Sequence, residues 1–252
     1  MKKLLAILLV LISAFTLFAC SGEPSGTMVT TLKEFTDYFD DNMPTGDFSY
    51  KFKIKHEEKT KTVDTEEKIT LKADGIWNYI DDEVLDTAEY DITLKTVEKV
   101  ATINGNKKTT TTLKENVIFI LRGNDYDKYF DVSLKTKKSG YVDSKYDVKV
   151  MGNDMSSISV EDIASLDAIV NLIEKSYING VAYIDGDKLT IIDSSSDEHT
   201  EIVVKSSKGK IKTIKVKNET AYGKSSLDIT LTEEKKITAP KDKTDYVGYK
   251  SL

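Results

Sequence analysis

The chain has 252 residues, with 36 Lys and Arg against 42 Asp and Glu, a net charge of −6 and a single cysteine. An acidic balance excludes a nucleic-acid partner, whose phosphates demand a basic surface, and it excludes electrostatic docking on anionic lipid. One cysteine excludes an intramolecular disulfide and a structural zinc site.

That cysteine sits in the first recognisable element. Lys2 and Lys3 open the chain, and Leu4 to Phe18 is apolar except for Ser13 and Thr16. The run is shorter than the roughly 20 apolar residues of a spanning helix, and it has the size and charge order of a secretory leader. Small Ala19 then precedes Cys20, and Ser, Gly and Pro follow to Thr27. The combination resembles the bacterial lipobox, although Phe18 stands where most lipoboxes carry a small residue. The resemblance implies cleavage before Cys20 and diacylglycerylation of its thiol. Two chains hold a protein firmly where one holds it marginally. The expected organisation is a signal peptide over 1–19, an acylated cysteine with a flexible tether over 20–27, and one β domain over 28–252. The expected location is the cell membrane, lipid-anchored on the extracytoplasmic face. Lys2 and Lys3 would leave with the leader, so the remainder is still more acidic.

Beyond the tether, "TLKEFTDYF" places Leu32, Phe35 and Phe39 at helical spacing, and Thr31 with Glu34 forms a capping-box pattern. This predicts a helix over 31–42. After Pro44 and Gly46 the period changes to two. In "DFSYKFKIKH", Phe48, Tyr50, Phe52 and Ile54 share one face, opposite Ser49, Lys51, Lys53 and Lys55. Further strands are predicted at "EKITLKA", "GIWNYI", "EYDITLKTV", "TTTTLKENVIFIL", "KYFDVSLKT" and "KYDVKVM". Asp74-Gly75, Asn104-Gly105-Asn106, Gly123-Asn124 and Ser139-Gly140 read as turns between them. "VIFIL" at 117–121 has the length of a buried strand, not of a membrane span.

The segment "SVEDIASLDAIVNLIEKSY" predicts a second helix over 159–177, capped by Ser159 and ended by Asn179-Gly180. Its apolar stripe is Ile163, Leu166, Ile169, Val170, Ile173 and Tyr177. A second meander follows in "VAYIDGDKLTII", "TEIVVKSS", "GKIKTIKVK" and "SLDITLTEEKKI", with hairpin turns at Asp185-Gly186 and Lys208-Gly209. A Pro-marked, Tyr-rich tail, "TAPKDKTDYVGY", closes the chain. The fold class is mainly β (α+β): a long antiparallel sheet curled into an open half-barrel, with two helices covering its concave side.

The order of helix, long meander, helix, second meander and Pro-marked tail resembles the bacterial lipid-carrier superfamily of LolA/LolB-like and LppX/LprG-like lipoproteins. The residues carrying it are "RGNDYDKYFDV", "DGDKLTI", "GKIKTIKV" and "KKITAP". The resemblance implies an apolar cavity for acyl chains, or a scaffold derived from one. The candidate ligand-binding face is then Phe48, Tyr50, Phe52 and Ile54, with Tyr90, Ile92 and Leu94, and with Leu227, Ile229 and Leu231. Each set runs at i, i+2 spacing. Ile163, Leu166, Val170 and Ile173 should point inward from the second helix.

Catalytic groups are scarce. His56 continues the Phe48–Ile54 face as a solvated or hydrogen-bonded histidine. "DSSSDEH" at 193–199 gathers serines, an acid and His199, but reads as a hairpin loop without a nucleophile elbow. Asp81-Asp82-Glu83 and Asp125/Asp127 lack the spacing of a calcium loop. No catalytic residue, metal site or cofactor is expected. Two function classes stand: a lipid-binding or lipid-transfer lipoprotein, and a cell-envelope interaction or structural lipoprotein with a self-filled core and a protein partner. They differ in whether the helix-covered face is an open cavity or is filled by its own aromatics.

Overall fold

The computed structural model describes residues 24–80, 87–102, 107–122, 125–152, 165–194, 198–233 and 235–247. Cys20, Ile163, Ser159 and the acids at 81–83 lie outside these residues, as do the turns at 104–106 and 123–124.

Helix α1 runs from Leu32 to Asn42, and the capping box forms at Thr31 as read. The Thr31 hydroxyl accepts the Glu34 N–H at 3.2 Å, while the Glu34 carboxylate accepts the N–H groups of Thr31 and Thr30. The Thr30 amide holds the Glu34 carboxyl below its ordinary value. Phe35 and Tyr38 are the buried residues of the helix, with Leu32 and Phe39 packed against the same core.

A first meander follows: β2 (Phe48–Lys61), β3 (Thr65–Ile80), β4 (Thr87–Thr102), β5 (Lys108–Arg122), β6 (Asp125–Lys138) and β7 (Tyr141–Met151). Asp74-Gly75 is not a turn. Both residues lie inside β3, so the two strands read there are one, and Gly75 pairs with Phe52 on one side and Ile92 on the other. Turn chemistry was overridden by a close approach: a Cβ on Gly75 would meet the Asp91 carbonyl oxygen at 2.5 Å. Ser139-Gly140 does form its hairpin turn, with both residues at positive φ.

Helix α2 spans Leu166–Asn179, and its cap is Ser165, whose hydroxyl accepts the Ala168 N–H at 3.2 Å. Within it Ile169, Ile173 and Ser176 are buried, the i, i+4, i+7 stripe. Val170 does not point inward as expected. It stands a sixth of a turn or more off that stripe and remains 38% exposed. Gly180 ends the helix in extended backbone, not in a left-handed cap. Glycine is needed there because a Cβ would meet the Ile192 carbonyl oxygen at 2.1 Å.

The second meander comprises β8 (Val181–Asp185), β9 (Lys188–Ser194), β10 (Glu198–Ser206), β11 (Ile211–Thr220) and β12 (Gly223–Thr232). Gly186 and Lys208-Gly209 take the positive φ values of tight hairpins. Strand β12 then pairs antiparallel with β2, and the two meanders fuse into one sheet. Short β1 (Thr27–Met28) adds to β8, giving the order β1-β8-β9-β10-β11-β12-β2-β3-β4-β5-β6-β7. The protein is therefore mainly β, a twelve-stranded antiparallel sheet that is not closed, with two helices among the described residues.

Register assigns every residue to one of two faces. The helix face carries Tyr50, Phe52, Trp77, Tyr90, Ile92, Val117, Phe130, Ile191, Ile202, Ile214 and Ile229 in one core with α1 and α2. The helices also touch each other, Phe35 stacking on Tyr177 with centroids 4.0 Å apart. The opposite face carries most lysines and is crossed by the tail. Ser49 donates to Asn78, Asn78 to the Lys235 carbonyl, and the Lys235 N–H to Ser49. Ile237 and Tyr246 pack there on Ile118 and Tyr129. Val247 finally pairs with the end of β7. This explains "VIFIL": Val117 is buried under the helix face and Ile118 under the tail.

Candidate functional site

The helix face is built in rungs, each a row of directly opposed residues crossing several strands. One rung reads Leu231, Tyr50, Trp77, Tyr90 and Phe119. Its rings stack in series: Tyr50–Trp77 at 6.4 Å, Trp77–Tyr90 at 4.8 Å and Tyr90–Phe119 at 5.2 Å. The next rung, Val204, Ile214, Ile229, Phe52, Gly75, Ile92 and Val117, is apolar throughout. The one after it, Ile202, Val216, Leu227, Ile54, Ala73 and Leu94, is apolar as far as β4, where Leu94 faces the buried Glu115 of β5.

Polarity then changes within a single step. The following rung reads Asp193, Thr200, Asn218, Ser225, His56, Leu71 and Thr96. At this boundary a cavity of about 440 Å³ opens beside α2. Ile54, Leu71, Val216, Leu227 and the helix residue Leu172 give it apolar walls, and His56, Thr200, Asn218 and Ser225 line its polar end. The polar groups are interlinked. His56 Nδ1 and Ser225 Oγ are 2.8 Å apart, and Asn218 donates both amide hydrogens, to Thr200 and to Glu198. His56 Nε2 lies 3.7 Å from Glu58.

The expected face residues divide accordingly. Ile54 and Leu227 line this cavity. Phe52, Tyr90, Ile92 and Leu94 are core, Ile92 with no exposed surface at all. Phe48, Tyr50, Ile229 and Leu231 surround a void of only about 10 Å³ with Met43, Ile169 and Ile214, too small for a ligand. Ile173 and Val170 border a second cleft of about 230 Å³ between α1 and α2, with Phe35, Phe39 and Met43. Leu166 begins α2, and Ile163 lies outside the described residues. The lining residues missed in the sequence were Leu71, Leu172, Thr200, Val216, Asn218, Ser225 and Ser226. For the strand residues the signal was cross-strand register, which alternation within one strand does not contain; Leu172 lies on α2.

Burial, with the charge of Glu198 second, pushes the Asp193 carboxyl above its ordinary value, Lys175 working against both. A raised acid binds its proton more readily in the folded chain than in the unfolded one. Its contribution to stability is therefore lost as pH rises through the range above the ordinary aspartate value. Asp193→Asn should accordingly resist urea at least as well as the parent at about pH 7, and the difference between them should shrink at about pH 4. A variant weaker than the parent at neutral pH would contradict this.

His199 shares a 2.7 Å hydrogen bond with Ser194, but both are exposed, on the opposite face of the sheet from the cavity. Residues 195–197 lie outside the described residues. Asp127 accepts a hydrogen bond from Tyr129. Among the described residues no group of three or more His, Cys, Asp or Glu could hold a metal ion, and no helix is long and apolar enough to cross a membrane.

No family model and no curated protein matches the chain. Among solved structures, a porin-like protein from Bacteroides uniformis aligns over 72% of this chain and 96% of its own, at 9% identity and a TM-score of 0.12, a likeness too remote to carry an argument.

Proposed function

We propose that this chain is an extracytoplasmic lipoprotein, anchored to the membrane through Cys20, that binds or transfers a lipid or other apolar ligand. In this reading the open sheet is a half-barrel of the LolA-like kind, and the helices cover its concave side. The observation that carries the proposal is the 440 Å³ cavity with apolar walls, a volume within the roughly 300–1,000 Å³ of ligand sites. A sixteen-carbon acyl chain gains about 13 kcal/mol gross on leaving water, at about 0.8 kcal/mol per methylene. Association costs of about 4–15 kcal/mol offset much of that. The bilayer offers the chain a similar gain, so exchange with the membrane is near balance, which suits a carrier better than a store.

The alternative is an envelope interaction or structural lipoprotein with no small ligand. The stacked aromatic rung favours it, since the middle of the helix face is filled by its own side chains. One experiment separates the two. Cells expressing the full chain are fed a photoreactive fatty acid, irradiated, and the protein is digested for peptide mapping. A carrier yields label on peptides holding Leu71, Leu172 or Val216, and Leu172→Asp removes it by placing an unpaired charge in an apolar wall. A structural lipoprotein yields label on the Cys20 peptide alone. An unlabelled Cys20 peptide would refute the anchor.

A further inference from the structure

We propose that the polar rung selects the head group of the ligand: the cavity takes an amphiphile whose head is uncharged and hydroxyl-bearing, and turns away anionic heads. The inference rests on the reading of the cavity as an acyl-chain site and adds to it which end of the ligand faces which rung. The chain would lie along the Ile202–Val216–Leu227–Ile54 rung, and the head would meet Thr200, Asn218, Ser225 and His56.

Charge segregation by sheet face decides what that head can be. Lysines are abundant in the surrounding strands, yet alternation sends them away from the cavity. Lys51, Lys53, Lys55 and Lys59 of β2, Lys68 and Lys72 of β3, Lys95 and Lys99 of β4, and Lys224 of β12 all fall on the tail face. So do Lys205 of β10 and Lys215 and Lys217 of β11. The acids divide: Glu57, Asp74, Glu201, Glu219 and Asp228 share the lysines' face, while others turn to the cavity side. Glu58, Glu98 and Glu198 occupy the helix face one position beyond the polar rung, and Asp193 stands in the rung itself. Two of them touch the lining directly, Glu198 accepting from Asn218 and Glu58 lying against His56. Among the described residues, Lys175 of α2 and, more weakly, His199 act on Asp193 at this end.

A carboxylate or phosphate head would thus enter beside carboxylates, with no lysine or arginine of the sheet among the described residues that line the cavity to receive it. A hydroxyl-bearing head meets acceptors instead. Asn218 spends both amide hydrogens on Thr200 and Glu198, so its carbonyl oxygen accepts, and the glutamates accept as well.

The test uses the full-length chain in phosphatidylcholine nanodiscs and two photoreactive probes of equal chain length, a glycerol monoester and a free carboxylate. Label on the Leu71, Leu172 and Val216 peptides is titrated against probe concentration. The glycerol ester should saturate at about tenfold lower concentration, the scale expected for two partly exposed like charges. The double change Glu58→Lys and Glu198→Lys should reverse the order. These are surface positions, and the milder pair Glu58→Gln and Glu198→Gln, which removes both charges at nearly constant shape and should reduce the preference, serves if the double Lys variant misfolds. Equal labelling, or preference for the carboxylate in the parent, overturns the head-group inference while the chain site stands. Failure of both probes to label the cavity overturns the chain site and this inference together.

Discussion

Gly75→Val should destabilise the protein by more than about 3 kcal/mol, and Gly75→Ala by about 2–3 kcal/mol, read as a fall in urea midpoint at unchanged slope. Two effects compete at this position. Valine is a strong strand former, and propensity alone would favour it over glycine by up to about 1 kcal/mol. The geometry opposes it. Gly75 lies between Phe52 and Ile92 in a rung where both are essentially unexposed. A Cβ there would sit 2.5 Å from the Asp91 carbonyl oxygen and 3.0 Å from the Ile92 Cα. Both are backbone atoms held in the β3–β4 ladder, so neither can swing aside as a side chain would. Relief requires the two strands to part in the centre of the sheet, where their hydrogen bonds hold the core closed. The steric term wins. A Gly75→Ala protein as stable as the parent would show that the ladder can yield there.

The same residue shows what was legible in the sequence. Asp-Gly between two alternating apolar runs is a strong local hairpin signal, and the chain overrides it because the partners on either side leave room only for hydrogen. Local signals with local causes were readable. The capping box of Thr31 and Glu34 involves four adjacent residues, and the turns at Ser139-Gly140 and Lys208-Gly209 need only their own backbone angles. Two-residue alternation likewise placed Phe48, Tyr50, Phe52 and Ile54 together, and the pairing puts them on one face.

What alternation leaves open is where along a face the lining changes. The polar rung is assembled across several strands, His56 meeting Ser225 from the far end of the chain and Asn218 meeting Thr200 on the preceding strand. Each looks like an ordinary polar residue near a strand end. The second helix shows a related limit. Its stripe was read from Ile163 with Val170 included, but the pattern that faces the sheet is Ile169, Ile173 and Ser176. A small buried serine carries no apolar signal, so the expected stripe holds Ile169, Ile173 and Tyr177 correctly but lacks Ser176 and adds the exposed Val170.

Tyr50→Ala should cost about 3–5 kcal/mol of stability, whereas Ile54→Ala should cost about 1–2 kcal/mol and instead weaken ligand binding. The two residues are neighbours on one strand face, and the sequence placed them in a single ligand-binding set. Their surroundings separate them. Tyr50 is 1% exposed, stacks on Trp77 and meets Phe48 at a tilt, each with ring centroids 6.4 Å apart. The void beside it is about 10 Å³, so truncation opens new empty space that rigid neighbours on β3, β12 and α2 cannot fill. Ile54 is only partly buried and already borders the 440 Å³ cavity. Shortening it enlarges a space that solvent or ligand occupies, which forfeits transfer energy without a sealed void. Its loss also removes a wall from the chain site. Urea denaturation of both variants, alongside photolabelling of the cavity peptides, gives the comparison. A Tyr50→Ala protein that stays as stable as the parent and loses labelling would move the ligand site into the aromatic rung. An Ile54→Ala protein that unfolds as readily as Tyr50→Ala would mean that the cavity is closed by packing and holds no ligand.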